Sequence, residues 1–214
     1  MKVQVSDKTY WENYYAKQNA ELKPSLFARY VLENVIKEHK SIIELGCGNG
    51  RDAIFFANEN LEVYAVDQVF DEVKFLKNRY FHLKNCTFEC ADFTNLDNSR
   101  NFDIVYSRFT LHSIAEYQEE KVVQWAFQNL SPNGKFCIEV RGQKNEIFGK
   151  GSLVESQPNA FIYNDHYRRF LNFDVFVNKL IVVGFVIDFA AEEKGFAPFQ
   201  GENETFIRII ATKK

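Results

Sequence analysis

Three glycines alternate directly after an apolar run in Ile42-Ile43-Glu44-Leu45-Gly46-Cys47-Gly48-Asn49-Gly50-Arg51-Asp52. Glycine permits a tight turn and lets backbone approach a ligand closely, while the N–H groups that open a following helix are free to donate. The spacing is GxGxG, with Arg51 standing where the GxGxxG dinucleotide loop needs its third glycine. Glu44, just ahead of the glycines, would repel a pyrophosphate. It suits a ligand that carries an ammonium, such as an adenosyl amino acid. A carboxylate inside an apolar run needs such a partner, because burying a lone charge is expensive.

The next apolar run ends in Val66-Asp67, about twenty positions after Gly46, the spacing at which an acidic residue receives ribose hydroxyls in such folds. One carboxylate accepts from both hydroxyls. Further on, Ala91-Asp92-Phe93 offers Asp92 as an acceptor for an adenine amino group and Phe93 as a ring to pack on the base. Taken singly, glycines and acids at strand ends also serve as turns and caps. Four such motifs in register are a more specific signal.

In that order the motifs resemble those of class I S-adenosylmethionine-dependent methyltransferases. Glu44 to Gly50 resembles their motif I, Asp67 their ribose-binding acid, and Ala91-Asp92 their adenine-binding motif. Phe102-Asp103-Ile104-Val105-Tyr106-Ser107 matches the strand whose end faces the methyl group, and Leu130-Ser131-Pro132-Asn133-Gly134-Lys135 the turn before strand five. The resemblance covers about residues 10 to 140, and two final strands extend it. It implies S-adenosylmethionine as cofactor, S-adenosylhomocysteine as product, and a Rossmann-like doubly wound α/β sheet. That sheet has seven strands, mostly parallel with an antiparallel last strand, and helices on both faces. The expected cofactor site comprises Glu44, Gly46, Cys47, Gly48, Asn49, Gly50 and Asp52 from the loop. Asp67, Gln68, Ala91, Asp92, Phe93 and Ser107 come from later strand ends, and Tyr14 from an aromatic N-terminal lid.

The acceptor is written less sharply. Ligands of open α/β sheets bind outside the carboxyl ends of the strands. Arg108 and His112 follow strand four, Arg141 ends strand five, and Tyr163, His166, Tyr167 and Arg168 lie in a polar stretch beyond it. Their convergence predicts a small anionic acceptor, since arginine forks match phosphate or carboxylate. His112 is the first candidate general base and His166 the second, with Arg108 completing the expected catalytic set. A base is required only for an acceptor that arrives protonated, and no metal is required. The segments around Arg108 to His112, His166 to Phe170 and Glu193 to Ala197 also resemble small bacterial methyltransferases associated with capsule or surface-polysaccharide synthesis. That resemblance implies O-methylation of a phosphate, phosphoramidate or sugar-linked group. The alternatives are another small molecule, nucleic acid, or a cofactor-binding module without chemistry. The Asn/Asp-Pro-Pro-Tyr run of amino-directed DNA methyltransferases is absent, and glycine spacing with Glu44 disfavours a nicotinamide oxidoreductase.

These residues need a scaffold of alternating strands and helices. Strands are expected at Ser41–Leu45, Glu62–Val66, Cys86–Glu89, Phe102–Tyr106 and Lys135–Val140, with a closing pair at Phe185–Ala190 and Thr205–Thr212. Helices are expected at Lys8–Lys17, after Pro24-Ser25, at Asp52–Asn60, Phe70–Leu83, Tyr117–Leu130 and Tyr167–Val182. The 214 residues suit one domain, with a lid at about 8–24 and a substrate cap at about 142–170. A net charge of −3 gives no global field for nucleic acid. The four cysteines lack metal-ligand spacing, and the expected setting is a reducing cytoplasm, with the chain a monomer or homodimer and no membrane span.

Overall fold

A computed structural model describes residues 23–38 and 40–214. The expected helix at 8–17, Tyr14 and most of the expected lid lie outside the described residues. Helix α1 (Leu26–Asn34) starts where the Pro-Ser pair predicts, because the Ser25 hydroxyl caps it by accepting the Ala28 N–H at 3.0 Å. Strand β1 (Ser41–Leu45) runs through the glycine loop into α2 (Arg51–Asn58), and β2 (Glu62–Asp67) into α3 (Phe70–Arg79). Next come β3 (Cys86–Cys90), β4 (Phe102–Arg108), α4 (Glu116–Asn129) and β5 (Leu130–Val140).

The sheet has seven strands ordered β3-β2-β1-β4-β5-β10-β9, where β9 is Phe185–Glu193 and β10 is Phe206–Lys213. The first five are parallel, and β10 runs antiparallel to both β5 and β9. The β9–β10 pair is the expected closing hairpin. Ile42, Leu45, Ile104, Val105, Phe136 and Ile138 are buried, because parallel strands are covered on both faces. One apolar cluster joins Val122, Val123 and Leu180 to the sheet, and the other joins Phe27, Phe56 and Leu76 to it.

The polar stretch beyond β5 corrects the sequence reading. It contains β6 (Ser152–Leu153) and β7 (Ala160–Tyr163), and with β8 (His166–Arg169) they form a separate antiparallel sheet. The expected helix from Tyr167 begins instead at Phe173, as α5 (Phe173–Val183), capped by the Asn172 side chain. The cause is local. Asn164 and Asp165 both take left-handed φ angles of 52° and 56°, the tight turn that pairs β7 with β8. Tyr167 and Arg169 therefore lie on one face of a strand and Arg168 on the other, in place of successive positions on a helix.

Candidate active site

The carboxyl ends of β1, β2, β4 and β5 open onto a cavity of about 720 Å3. It is lined by Glu44, Gly46, Cys47, Gly48, Asn49, Asp52, Asp67, Gln68 and Phe93, nine of the expected cofactor residues. Gly46 has φ 71°, and a Cβ there would stand 2.5 Å from Thr110 Cγ2 and 3.6 Å from the Phe93 ring. Glycine is thus needed both for the turn and to keep the floor open. Asp67 accepts the Gly48 N–H at 2.9 Å through one oxygen and the Val69 N–H at 3.0 Å through the other. Each oxygen keeps a lone pair, so two hydroxyls can be received on a carboxylate whose orientation is fixed. Burial pushes this carboxyl up, while the backbone donors hold it down.

Glu44 is buried, and its Oε2 has no hydrogen-bond partner among the described residues. Burial, with Asp52 beside it, raises its carboxyl well above the usual range. A cation placed against Oε2 would reverse that shift.

Other members of the expected set have structural roles. Asp52 lines the cavity, but its oxygens hold Ser25, through N–H and Oγ at 2.7 Å each, and Tyr106 Oη at 2.9 Å. Neither Ser25 nor Tyr106 was anticipated, and together they tie the start of α1 to the glycine loop. Gly50 is absent from the lining; a Cβ there would meet Leu76 Cδ2 at 2.9 Å, so it serves helix packing. Ser107 is fully buried and bonded to Thr110 Oγ1 at 2.6 Å. Ala91 and Asp92 also stand outside the lining, and Asp92 Oδ1 caps a short 3-10 turn through Thr94. Of Ala91, Asp92 and Phe93, Phe93 reaches the cavity.

The same cavity is also lined by Arg108, Phe109, Arg141 and Phe206. Phe109 and Phe206 stack with centroids 4.8 Å apart, Arg108 lies 4.0 Å over Phe109, and Arg141 lies 4.9 Å over Phe206. Phe109 holds φ 60°, an uncommon angle for an aromatic residue. Both guanidiniums carry carboxylate partners: Arg108 Nε donates to Glu139 Oε1 at 3.0 Å, and Arg141 Nη1 to Glu204 Oε2 at 2.6 Å. Glu139 also binds Arg208, through Nε at 3.1 Å and Nη2 at 2.6 Å. Phe206, Glu139 and Glu204 were missed. Glu139 had a signal, a carboxylate within the apolar run Phe136-Cys137-Ile138-Glu139-Val140, the same argument that singled out Glu44.

The expected histidines sit elsewhere. His112 is buried outside the cavity lining, and its Nδ1 accepts the Arg141 N–H at 3.3 Å. Burial, then Arg141 and Arg168, push its pKa well below the usual range, and His166 is pushed down to about 3 by burial with Arg168 and Arg141. A neutral imidazole whose Nδ1 already accepts is poorly placed as a general base. Tyr163, His166, Tyr167 and Arg168 belong to the small sheet and stand outside the lining, with Tyr167 Oη donating to Gln157 Oε1 at 2.7 Å. The structure therefore gathers His112, Arg141, His166 and Arg168 into one electrostatic neighbourhood, but only Arg141 of these reaches the cavity.

Residues 36–174 match a protein family described as a methyltransferase domain. The chain is 30% identical over 132 residues to phosphoethanolamine N-methyltransferase 1 of Zea mays, covering 56% of this chain and 26% of that protein. The chain thus spans about a quarter of that curated relative's length. It is 23% identical over 184 residues to a tRNA N3-methylcytidine methyltransferase of Schizosaccharomyces pombe, covering 72% of this chain and 59% of that one. Among solved structures, an S-adenosylmethionine-dependent methyltransferase from Methanosarcina mazei superposes with a TM-score of 0.73 at 16% identity, covering 86% of this chain and 96% of that one.

Proposed function

The chain belongs to the methyltransferase-domain family, the class I enzymes that take a methyl group from S-adenosylmethionine, and we propose that it moves that group onto a small acceptor bearing an anionic group. One observation carries the reading: a single cavity is lined both by Glu44, Gly46 and Asp67 and by Arg108 and Arg141.

The first group fits the cofactor. The orphaned Glu44 oxygen suits its ammonium, Asp67 its ribose hydroxyls, Phe93 its adenine, and the open floor at Gly46 its chain. S-Adenosylmethionine supplies an electrophilic methyl on a sulfonium, which leaves as S-adenosylhomocysteine when the acceptor's lone pair attacks in line. The chain's own part is to orient the two partners and exclude water, and orientation at its best supplies about 7–11 kcal/mol of the barrier. The aromatic wall of Phe109 and Phe206 excludes water, and the arginines fix the anionic end. No histidine base is needed where the attacking oxygen is already ionised.

Within this reading, the sequence resemblance to surface-polysaccharide enzymes favours O-methylation of a phosphate, phosphoramidate or sugar-linked group. A second reading is N-methylation of an amine on a phosphate ester, as the name of the maize relative describes. It is favoured by Glu202 and Glu204 in the same cavity, which would hold an ammonium. The cap then includes the small sheet at 152–169, and the setting is the cytoplasm, which suits cysteines that are all free thiols.

The test is calorimetric titration with S-adenosylmethionine, S-adenosylhomocysteine and NAD. Labelled methyl transfer to sugar phosphates, phosphoramidates, phosphoethanolamine and tRNA follows. Binding of the adenosyl ligands alone, with product on a phosphate-bearing small molecule, supports the proposal. Product only on tRNA replaces the acceptor, adenosyl binding without any product points to a binding module, and no adenosyl binding removes the reading of Glu44 to Asp67.

A further inference from the structure

Of the arginines that line the cavity, Arg108 and Arg141 hold carboxylates of different kinds. Glu139 is fully buried next to the carboxyl end of β5 and shared between Arg108 and Arg208, so it has no path away from them. Glu204 lies in the loop between β9 and β10, its side chain is 17% exposed, and its ion pair is with Arg141. Arg141 has other supports. The same Nη1 donates to Asn145 Oδ1 at 2.8 Å, and the guanidinium lies over the Phe206 ring. Removing Glu204 therefore leaves Arg141 in place.

The loop is held at both ends and turns sharply at its tip. At its start, Arg208 Nη2 donates to the Phe196 carbonyl at 3.1 Å. Just beyond Glu204 it is pinned, because Thr205 N–H and Oγ1 donate to the Glu146 carboxylate at 2.7 and 3.1 Å, and Asn145 Nδ2 donates to the Thr205 carbonyl at 2.7 Å. Its tip turns through Gln200 and Gly201 with left-handed φ angles of 49° and 85°. Pro198, Phe199 and Glu202 from this loop line the cavity beside Glu204, and Phe199 is exposed.

We propose that Glu204 is a displaceable counter-ion that sets acceptor specificity, exchanging with the acceptor's anionic group at Arg141 and carrying the β9–β10 loop with it. The proposal rests on the anionic-acceptor reading. Exchange of one anion for another keeps Arg141 paired. A neutral molecule that pushed Glu204 aside would leave the guanidinium in a partly desolvated cavity without its charge partner. Glu204 thereby discriminates against neutral analogues that fit the aromatic wall equally well.

The experiment uses the full chain saturated with S-adenosylhomocysteine and inorganic phosphate as probe, in wild type, Glu204→Gln and Arg141→Met. The glutamine keeps an acceptor for Arg141 and removes the charge. Phosphate is expected to bind Glu204→Gln roughly tenfold more tightly than wild type, the scale of one part-exposed ion pair, with S-adenosylhomocysteine affinity unchanged. In wild type, phosphate should accelerate amide exchange across residues 195–204, a readout that needs no variant. Phosphate binding that Arg141→Met abolishes but Glu204→Gln leaves unchanged overturns the role of Glu204 while the anionic reading stands. So does unaltered exchange in the loop at phosphate saturation. Phosphate binding to neither wild type nor Glu204→Gln, with normal S-adenosylhomocysteine binding, overturns both.

Discussion

Glu44 presents a testable balance. Its raised carboxyl comes first from burial and second from Asp52, so the protein without ligand keeps it protonated to higher pH than an ordinary glutamate. A ligand ammonium favours the ionised form, so binding releases a proton wherever the free carboxyl is still protonated. S-Adenosylmethionine affinity should therefore rise with pH, by up to about tenfold per unit below the free carboxyl's pKa. Calorimetry in buffers of different ionisation enthalpy reads the released proton. Glu44→Gln should bind more weakly and lose the pH slope; a slope that persists removes Glu44 from the ammonium. Asp67→Ala should cost about 1–3 kcal/mol of cofactor affinity, the range for a hydrogen bond to a charged group, and unchanged affinity would take Asp67 out of the ribose site. Both residues were legible because their signal is local: a strand, a glycine turn and a fixed interval. For the complementary reason, the hydrogen-bond partners of Asp52 were not legible. Ser25 and Tyr106 lie 27 and 54 positions away, and no local spacing reveals them.

Among the elements, β5 bears the greatest electrostatic load. Glu139 near its carboxyl end is the shared counter-charge of Arg108 and Arg208, and the Arg208 guanidinium also lies 4.9, 4.9 and 4.3 Å over Phe27, Tyr30 and Phe196. The strand thereby links α1, the β9–β10 loop and the cavity. Glu139→Ala leaves guanidiniums buried without their carboxylate and should destabilise the fold by about 3–5 kcal/mol, measured by urea unfolding. A loss below 1 kcal/mol would mean that water replaces the carboxylate. The small sheet tells a different story about legibility. Val175 to Val182 carries a strong apolar period, and extending that period back to Tyr167 absorbed β8 into a helix. The Asn164-Asp165 pair was the competing signal, since both residues tolerate the left-handed region that a two-residue hairpin requires. Asp165→Gly should stabilise this turn by roughly 0.5–1 kcal/mol. A lower unfolding midpoint would show that the Asp165 carboxylate has a partner worth more than the backbone strain.

Over the whole molecule, the doubly wound sheet was legible because it follows from the alternation of strand and helix. The charge pairing was not. Arg108 meets Glu139, Arg141 meets Glu204 and Arg169 meets Glu119, each pair at least 31 positions apart. The sequence reading expected Arg108 and Arg141 at strand ends to meet an anionic acceptor, and tertiary structure supplied a carboxylate to each. The histidine neighbourhood is the other product of convergence, and it makes stability depend on pH. His166 is pushed down to about 3 and His112 well below its usual range, so the unfolded chain binds protons that the folded chain does not. The stabilisation is complete above the unfolded value near 6.5 and is lost as pH falls toward the folded one. For His166 alone the loss reaches about 2 kcal/mol at pH 5, and His112 adds in the same direction. The raised carboxyls of Glu44 and Glu139 act oppositely wherever they titrate, so the wild-type slope is a sum. Comparison with a variant isolates the histidine. His166→Gln should be less stable than wild type at pH 7, where a buried packing partner is lost, and should lose less stability between pH 7 and pH 5. Equal slopes in urea titrations of the two proteins would mean that His166 takes up its proton while folded and that its burial opens before the chain does.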